Sequence, residues 1–488
     1  MNTKLLKQKI LDLAIRGKLT QQLKSDGTAK DLLTQISDER RETKDERKGT
    51  RSKKSGVILS EAQSAKSKDS GQIIPLDKSE APFEIPANWE WVRLGDVAAL
   101  KGGKRVPAGK TMTTEPTSHI YIRVTDMRDG TIYDDDLHYV TDEIYEVIKN
   151  YTISKNDLYI TIAGTIGRVG LVPDLFDGMN LTENALKITN VIPDKKYLMY
   201  ALQSGFVQDY FESTYHQVAM PKLSLTNASK ALLPLPPLAE QRRIVEKIQE
   251  AFAEIDSIEK NKELLKTHIK QARQKILDLA IHGKLAPQNK ADEPASVLLE
   301  RITRDNPHYE KLTDVPFEIP DSWEWVKLGD VCEEMQSAKP KGDSFKYIDI
   351  DSIDNTICKI KAPKVIESKN APSRASRYTK KGDILFSLVR PYLRNIAKVE
   401  EDNCIASTGF YVCSPKNINE NYCYYLMISH YVVDGLNQYM KGDNSPSISS
   451  KNIIEYPVPL PPLAEQKRIV DRIEEIFASL DEISLHLV

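Results

Sequence analysis

The sequence predicts an α+β protein in which two mixed α/β domains are joined by long antiparallel coiled-coil helices, arranged as a circular pseudo-two-fold repeat. The main observation is that three blocks of sequence occur twice in the 488 residues. The copies are FEIPANWEWV at 83–92 and FEIPDSWEWV at 317–326, LPPLAEQ at 235–241 and 460–466, and KILDLAI at 9–15 and 275–281.

The second and third blocks share one helical stretch in the middle of the chain, at residues 238–282, but are separated at its two ends. Apolar residues along this stretch alternate in spacings of four and three, which is the coiled-coil a/d pattern. About 45 residues at 1.5 Å each make a rod of about 67 Å. Shorter copies of the seam occur at Leu6, Ile10 and Leu13 and from Ile469 to Ile483. We therefore expect the two ends of the chain to meet beside the central rod, with Gly17 and Gly283 ending their helices.

The repeat divides the chain into seven predicted segments. They are a helix at 1–36, a charged linker at 37–81, a mixed domain at 82–235, the central helix at 236–285, a linker at 286–315, a second mixed domain at 316–460 and a helix at 461–488. The first linker is rich in charged residues and serine and poor in apolar ones, as flexible segments are. Within the domains we predict short strands at 120–124, 157–162 and 383–388, and helices at 197–211 and 422–439.

Composition excludes several classes of protein. The 68 basic and 70 acidic residues nearly cancel to a net charge of −2. Many small DNA-binding domains are strongly basic, so the overall charge does not by itself suggest a nucleic-acid-binding protein. No apolar run approaches the length of a membrane span, and the first nine residues lack the apolar core of a signal peptide. All five cysteines lie in the second half without a CxxC pair, which predicts reduced thiols, no metal and a cytoplasmic protein.

Two pairs of loops are candidates for contact with DNA. The first pair is GTIGRVG at 164–170 and RPYLR at 390–394, for which a plain tight turn is an equally good interpretation. The second pair is YHQVAMPKLS at 215–224 and MKGDNSPSIS at 440–449. Their amides and basic groups suit base edges and phosphates, although a polar turn before a core strand would look similar.

No set of residues makes a convincing catalytic site. The segment GKRVPAGKT at 103–111 has five residues between its glycines where a P-loop has four, and a proline in the turn. The eight histidines are scattered, and no Cys/His or Ser/His/Asp arrangement recurs in both halves. The residues alone therefore give no candidate for a catalytic group.

At this point a family resemblance is specific. WEWV(R/K)LGDV at 89–97 and 323–331, with PPLAEQ(R/K)RIV at 236–245 and 461–470, resembles the specificity subunit of type I restriction-modification enzymes. The resemblance implies two target recognition domains, each binding one half of a split site in double-stranded DNA. It also implies that the helices set the spacer and bind two methylation subunits, to which restriction/translocation subunits are added. The chain would bind no cofactor, because S-adenosylmethionine, ATP and Mg would be held by those partners.

We expect DNA contacts from polar and basic residues of both domains, and partner contacts from the two AEQ motifs. The DNA-binding candidates of the first domain are Lys104, Arg105, Arg123, Arg128, Thr165, Arg168, His216, Gln217, Lys222 and Ser224. Those of the second are Lys341, Arg377, Arg390, Tyr392, Arg394, Lys441, Asn444, Ser445 and Ser447. The partner-binding candidates are Glu240, Gln241, Arg243, Glu465, Gln466 and Arg468.

Two other classes of function remain open from the sequence. One is a coiled-coil scaffold that joins two protein-binding modules without binding DNA. The other is a DNA methyltransferase or nuclease with unfamiliar motifs, which methyl transfer by the purified chain alone would reveal.

Overall fold

A computed structural model describes residues 2–35, 76, 81–214, 221–304, 309 and 311–487. The chain divides into two compact units, Met1–Lys260 and Asn261–Val488, and the division falls inside the central helix. Each unit combines one mixed domain with flanking helices, which confirms the predicted fold class. Most of the predicted charged linker at 37–81 lies outside the described residues.

The first unit is built around a four-stranded antiparallel sheet of order β2-β9-β6-β7. Strand β1 pairs with β10, β3 with β8 in parallel, and β4 with β5. The elements are α1 Thr3–Ile15, β1 Glu90–Arg93, α2 Leu94–Val97, β2 Ala99–Gly102, β3 Tyr121–Ile122, β4 Met127–Arg128, β5 Thr131–Ile132, α3 Asp142–Ile148, β6 Leu158–Thr161, β7 Val169–Leu171, β8 Asn180–Leu181, β9 Ala185–Thr189, α4 Lys195–Gln203, α5 Gly205–Ser213, α6 Leu225–Lys230, β10 Leu232–Leu235 and the first part of α7 Leu238–Ile281.

The second unit repeats this plan with a sheet of order β12-β21-β18-β19 and a pair β11-β22, and adds a mixed sheet of order β16-β13-β20-β17. After the rest of α7 come α8 Ala295–Thr303, β11 Glu324–Lys327, β12 Cys332–Glu333, β13 Ser344–Ile348, β14 Ile353–Asp354, β15 Lys359–Ile360, β16 Lys364–Glu367, β17 Ala375–Thr379, β18 Ile384–Ser387, β19 Ile396–Lys398, β20 Cys404–Ser407, β21 Phe410–Pro415, α9 Glu420–Met427, α10 His430–Asn437, α11 Ser450–Ile454, β22 Pro457–Leu460 and α12 Leu463–Leu485. The three predicted strands are confirmed as β3, β6 and β18.

Two helices run antiparallel in each unit, as the sequence predicts. In the first unit, Thr3 Oγ1 donates to Glu259 and Thr20 Oγ1 donates to Glu240, so α1 runs against the direction of α7. Leu11 and Ile15 of α1 and Ile244 and Ile248 of α7 are buried in one apolar cluster of this unit. Burial of these apolar residues stabilises α1 as a helix on the domain, because a short helix is only marginally stable by itself in water.

The second unit pairs the later part of α7 with α12 in the same way. Arg273 forms an ion pair with Asp481, and Leu277, Ile281, Ile469 and Ile473 are buried in one cluster. The Arg273–Asp481 pair is the counterpart of Lys7–Asp256 in the first unit. The repeat seen in the sequence is therefore also a repeat of contacts.

The middle of the predicted seam differs from the expectation. Ile258 is 49% exposed and Leu265 is 39% exposed. In the first unit α1 begins beside Glu259, so it does not extend past that residue of α7. In the second, α12 ends only about one turn after Asp481, which pairs with Arg273. Neither partner helix therefore reaches residues 260–268.

Each long helix predicted inside the domains is two helices. Ser204 separates α4 from α5, and Ser429 separates α9 from α10. Both hydroxyls donate to a carbonyl of the preceding helix, 2.6 Å away, and both residues have extended backbone. Serine competes for backbone hydrogen bonds in this way, and a break follows. Within the described residues no helix combines the length and apolar character needed to cross a bilayer.

Candidate nucleic-acid interface

A buried polar cluster joins the helices of each unit to its mixed domain, and we call it the clamp. In the first unit the Glu240 carboxylate accepts hydrogen bonds from Trp89 Nε1 at 2.8 Å, Gln22 Nε2 at 3.0 Å and Thr20. The amide of Gln241 accepts from the backbone N–H of Asp194 at 2.7 Å and donates to a proline carbonyl. Both side chains are fully buried, so these bonds offset the cost of removing them from water.

The clamp of the second unit has the same geometry. Glu465 accepts from Trp323 Nε1 at 3.0 Å and from Gln288 Nε2 at 2.5 Å. The Gln466 amide accepts from the N–H of Asn419 at 2.8 Å. Burial raises the pKa of Glu465, although its hydrogen bonds act in the opposite direction.

The clamp bears directly on the predicted partner contacts. Glu240, Gln241, Glu465 and Gln466 are buried and bonded within their own units, which leaves no side-chain surface for a partner. Arg243 and Arg468 are also engaged, because they pair with Asp26 and Asp292 respectively, at 2.6 and 2.5 Å. The Arg243 guanidinium lowers the pKa of Asp26. In this structure the AEQ motifs join helix to domain, and partner contact by these six residues stays a prediction.

In the second unit the structure brings several predicted DNA-binding residues together. We call residues 350–361, 388–395 and 441–447 its polar edge. The backbone N–H of Arg390 donates to Pro446 O at 2.8 Å, and Arg390 Nη2 donates to Asn444 O at 2.9 Å. Ser447 pairs with Val389, which brings the two predicted loops into contact. The predicted DNA-binding residues that are exposed on this edge are Arg390, Tyr392, Lys441, Asn444 and Ser445.

The polar edge of the first unit, residues 124–130 and 163–168, is built differently. Thr165 and Arg168 are exposed at the tip of the β6–β7 hairpin, and Arg168 Nη1 donates to Met127 O at 3.1 Å. Arg128 stacks on Tyr133 at 3.9 Å and pairs with Asp135. This confirms the predicted hairpin, whereas its contact with DNA stays a prediction. His216 and Gln217 lie outside the described residues.

The remaining predicted DNA-binding residues lie elsewhere or already have partners. Arg123 is largely buried and bonds Asp126 and Asp136, so it braces its own loop. Arg105 is exposed but pairs with Glu183 at 2.6 Å, which raises the pKa of the guanidinium.

Of the others, Arg394 is half-buried against the carbonyl of Ile428, and Arg377 has its Nε buried without a hydrogen-bond partner among the described residues. Ser224 caps α6 by accepting from Asn227 N at 3.0 Å. Lys104, Lys222 and Lys341 are exposed, and Ser447 is half-buried.

The structure adds edge residues that the sequence did not single out. Asn355 and Lys361, on the hairpin formed by β14 and β15, line a cavity of about 680 Å³ together with Arg390 and Ser445. Asn355 Nδ2 also donates to Leu393 O at 2.9 Å. The sequence signal was a polar turn of Asp, Asn and Thr at 354–356, which is hard to distinguish from an ordinary turn.

Three cysteines meet in the core of the second unit, which the sequence did not predict. The Sγ atoms of Cys332, Cys413 and Cys423 lie within 4.8 Å of one another and are buried. Contacts with the neighbouring thiols and burial raise the pKa of Cys413, whereas hydrogen bonds from Cys332 and Cys413 lower the pKa of Cys423. The equivalent positions of the first unit are Ala98, Ile188 and Leu198, also buried. The cluster therefore fits core packing better than a structural zinc site, which takes four ligands.

Comparison with known proteins identifies the family. The family model described as "Type I restriction modification DNA specificity domain" matches residues 86–267 and 320–485, one copy in each repeat. The chain belongs to this family. It is a specificity subunit of a type I restriction-modification system with two DNA-recognition domains.

The relatives agree with this assignment over nearly the whole chain. The EcoAI specificity subunit of Escherichia coli is 22% identical over 98% of this chain and 90% of its own length. The MjaVIII specificity subunit of Methanocaldococcus jannaschii is 22% identical over 81% of this chain and 87% of its own. The HsdS subunit from Thermoanaerobacter tengcongensis shares the fold, with a TM-score of 0.53 at 20% identity, covering 84% of this chain and 94% of that one.

Proposed function

We propose that each recognition domain binds one half of a two-part site in double-stranded DNA through its polar edge. The observation that carries this proposal is that the two units repeat their clamp contacts, apart from the one made by Thr20, but differ along their edges. Two domains that recognise different DNA sequences require such a shared scaffold with different exposed side chains. Arginine, asparagine, lysine and serine are the residues that bond base edges and phosphates.

We further propose that α7, α1 and α12 fix the spacing between the half-sites and bind two methylation subunits. Restriction/translocation subunits would join that complex. The methylation subunits would hold S-adenosylmethionine, the restriction subunits ATP and Mg, and this chain would contribute no catalytic group. Because the AEQ side chains are buried, exposed neighbours such as Leu463 and Arg242, and the exposed Leu264 and Leu265 of α7, are better candidates for these contacts.

Exchange of one domain tests the proposal. Residues 82–234 are replaced by the corresponding domain of a relative, and the sites methylated by the chimaeric complex are determined by sequencing. We expect one half of the site to change while the other half and the spacer stay the same. The reciprocal exchange of residues 316–459 should change the opposite half. A change in both halves from one exchange would contradict independent readers, and a wild-type complex without any sequence preference would support the scaffold alternative.

A further inference from the structure

The hairpin at the polar edge contains two left-handed backbone positions in both units. In the first unit they are Gly164 and Gly167, with φ of 77° and 87°. In the second they are Arg390 and Arg394, with φ of 49° and 56°. Glycine takes this conformation without penalty, whereas other residues adopt it at an energetic cost. The second unit therefore has arginine at two left-handed positions where the first unit has glycine, so the hairpin conformation itself does not require arginine.

The strain at Arg394 has a structural explanation. Its guanidinium donates to the carbonyl of Ile428, after α9, and lies 3.5 Å from Gln274 of α7. The side chain is half-buried and fastens the hairpin to the helices of its own unit. The conformational cost of Arg394 is thus offset by contacts within the fold.

Arg390 lacks such an explanation. Its side chain is exposed, and among the described residues its guanidinium bonds one group, the carbonyl of Asn444 on the neighbouring exposed loop. A guanidinium has five N–H donors, so most of them remain available to a ligand. Strained residues that the fold does not need are concentrated at functional sites.

The surroundings of Arg390 suit the edge of a base. It lines the 680 Å³ cavity with Asn355, Lys361 and Ser445, which carry hydrogen-bond donors, and with Asp351, whose carboxylate is an acceptor. Its backbone is held at Pro446 by a 2.8 Å hydrogen bond, so the origin of the side chain is fixed. Tyr392, 46% exposed, stands beside it at the tip of the hairpin.

We propose that Arg390 is a specificity-determining residue of the second recognition domain, and that it donates two hydrogen bonds to O6 and N7 of a guanine in the major groove of that half-site. The left-handed backbone directs the side chain out of the hairpin, and the contact to Pro446 keeps it there. Two parallel N–H groups match the acceptors of guanine and of no other base. This assignment rests on the proposed function, that the polar edge binds DNA.

The test uses Arg390→Gly in the full chain assembled with its methylation subunits. The complex methylates a plasmid library, and modified sites are read by sequencing together with the rate at each sequence. One good bidentate pair provides roughly 5- to 150-fold discrimination between bases. We expect the variant to lose that much discrimination at one G·C pair in the second half-site. The first half-site should be unchanged, and the melting temperature should be equal to or above that of the wild type, because glycine relieves the strain.

Asn403→Gly is the matched control, because it places glycine at another exposed left-handed position of the second unit, outside the polar edge. We expect it to keep the base preference and a melting temperature equal to or above that of the wild type. Full discrimination by Arg390→Gly at every position would overturn the assignment while leaving the proposed function intact. Loss of the same preference in Asn403→Gly, with Arg390 present, would also overturn it. If the wild-type complex showed no two-part site, the proposed function itself would fail.

Discussion

The two units are alike at their clamps and different along their polar edges. Trp89–Glu240 and Trp323–Glu465 form the same hydrogen bond, and Asp194–Gln241 has its counterpart in Asn419–Gln466. Along the polar edges, glycines in one unit stand where arginines stand in the other. Buried hydrogen bonds constrain the residues of the clamp, whereas the fold places few constraints on those of the edges. A specificity subunit can therefore change its edges without rebuilding its frame.

The largest effect is expected from removing a clamp carboxylate. Glu465→Ala leaves the buried N–H of Trp323 without an acceptor and opens a gap, so we expect about 3–5 kcal/mol of lost stability in the second unit. Glu240→Ala should cost a similar amount in the first unit. Amide hydrogen exchange, read separately for each unit, measures both effects.

The exposed neighbours Arg242→Ala and Lys467→Ala serve as controls and should change stability by less than about 0.5 kcal/mol. If only one of Glu240→Ala and Glu465→Ala destabilised its own unit, the two clamps would not be equivalent.

A somewhat smaller effect is expected at the glycines that follow α1 and α7. Gly17 and Gly283 have φ of 68° and 65°, and a Cβ would lie 2.3 Å from Pro86 Cγ and 2.4 Å from Pro320 Cγ. Gly17→Ala and Gly283→Ala should therefore each cost about 2–4 kcal/mol, from the left-handed backbone and from steric overlap. The measurement is again hydrogen exchange of each unit.

Gly109 and Gly342 isolate the backbone contribution, because both have positive φ and neither has an atom within 4 Å of a Cβ. Their alanine variants should lose only about 1–2 kcal/mol. Equal losses at all four positions would rule out the overlap with proline.

The smallest effect is expected from transplanting the core of one unit into the other. The triple variant Cys332→Ala, Cys413→Ile, Cys423→Leu gives the second unit the residues of the first at these three positions. Its stability should change by about 1 kcal/mol, because the three new apolar side chains are exchanged as the set that is already buried in the first unit. Thermal unfolding measures the change in stability, and elemental analysis of the purified protein tests for a bound metal. A bound metal in the wild type, lost together with the fold in the variant, would contradict the packing interpretation.

The repeat made much of the architecture predictable from sequence. Two copies of each block were sufficient to predict the fold class, both helix pairs and the glycines at their ends. The breaks at Ser204 and Ser429 were missed, because apolar periodicity continues across them and only the hydroxyl hydrogen bonds reveal the break. The burial of the AEQ motifs was not predicted, because glutamate and glutamine are usually exposed and burial depends on partners distant in sequence. The thiol cluster was missed for the same reason.

The pairing of α1 with α7 has a consequence for the synthesis of the chain. Lys7 and Asp256 are 249 residues apart, and Leu11 and Ile15 share a buried cluster with Ile244 and Ile248 of α7. At the usual 5–20 residues per second, α1 leaves the ribosome about 12–50 s before its partner helix exists. During that interval α1 lacks the part of its packing that α7 provides. The first unit therefore completes its folding late, at the moment when residues 240–259 emerge.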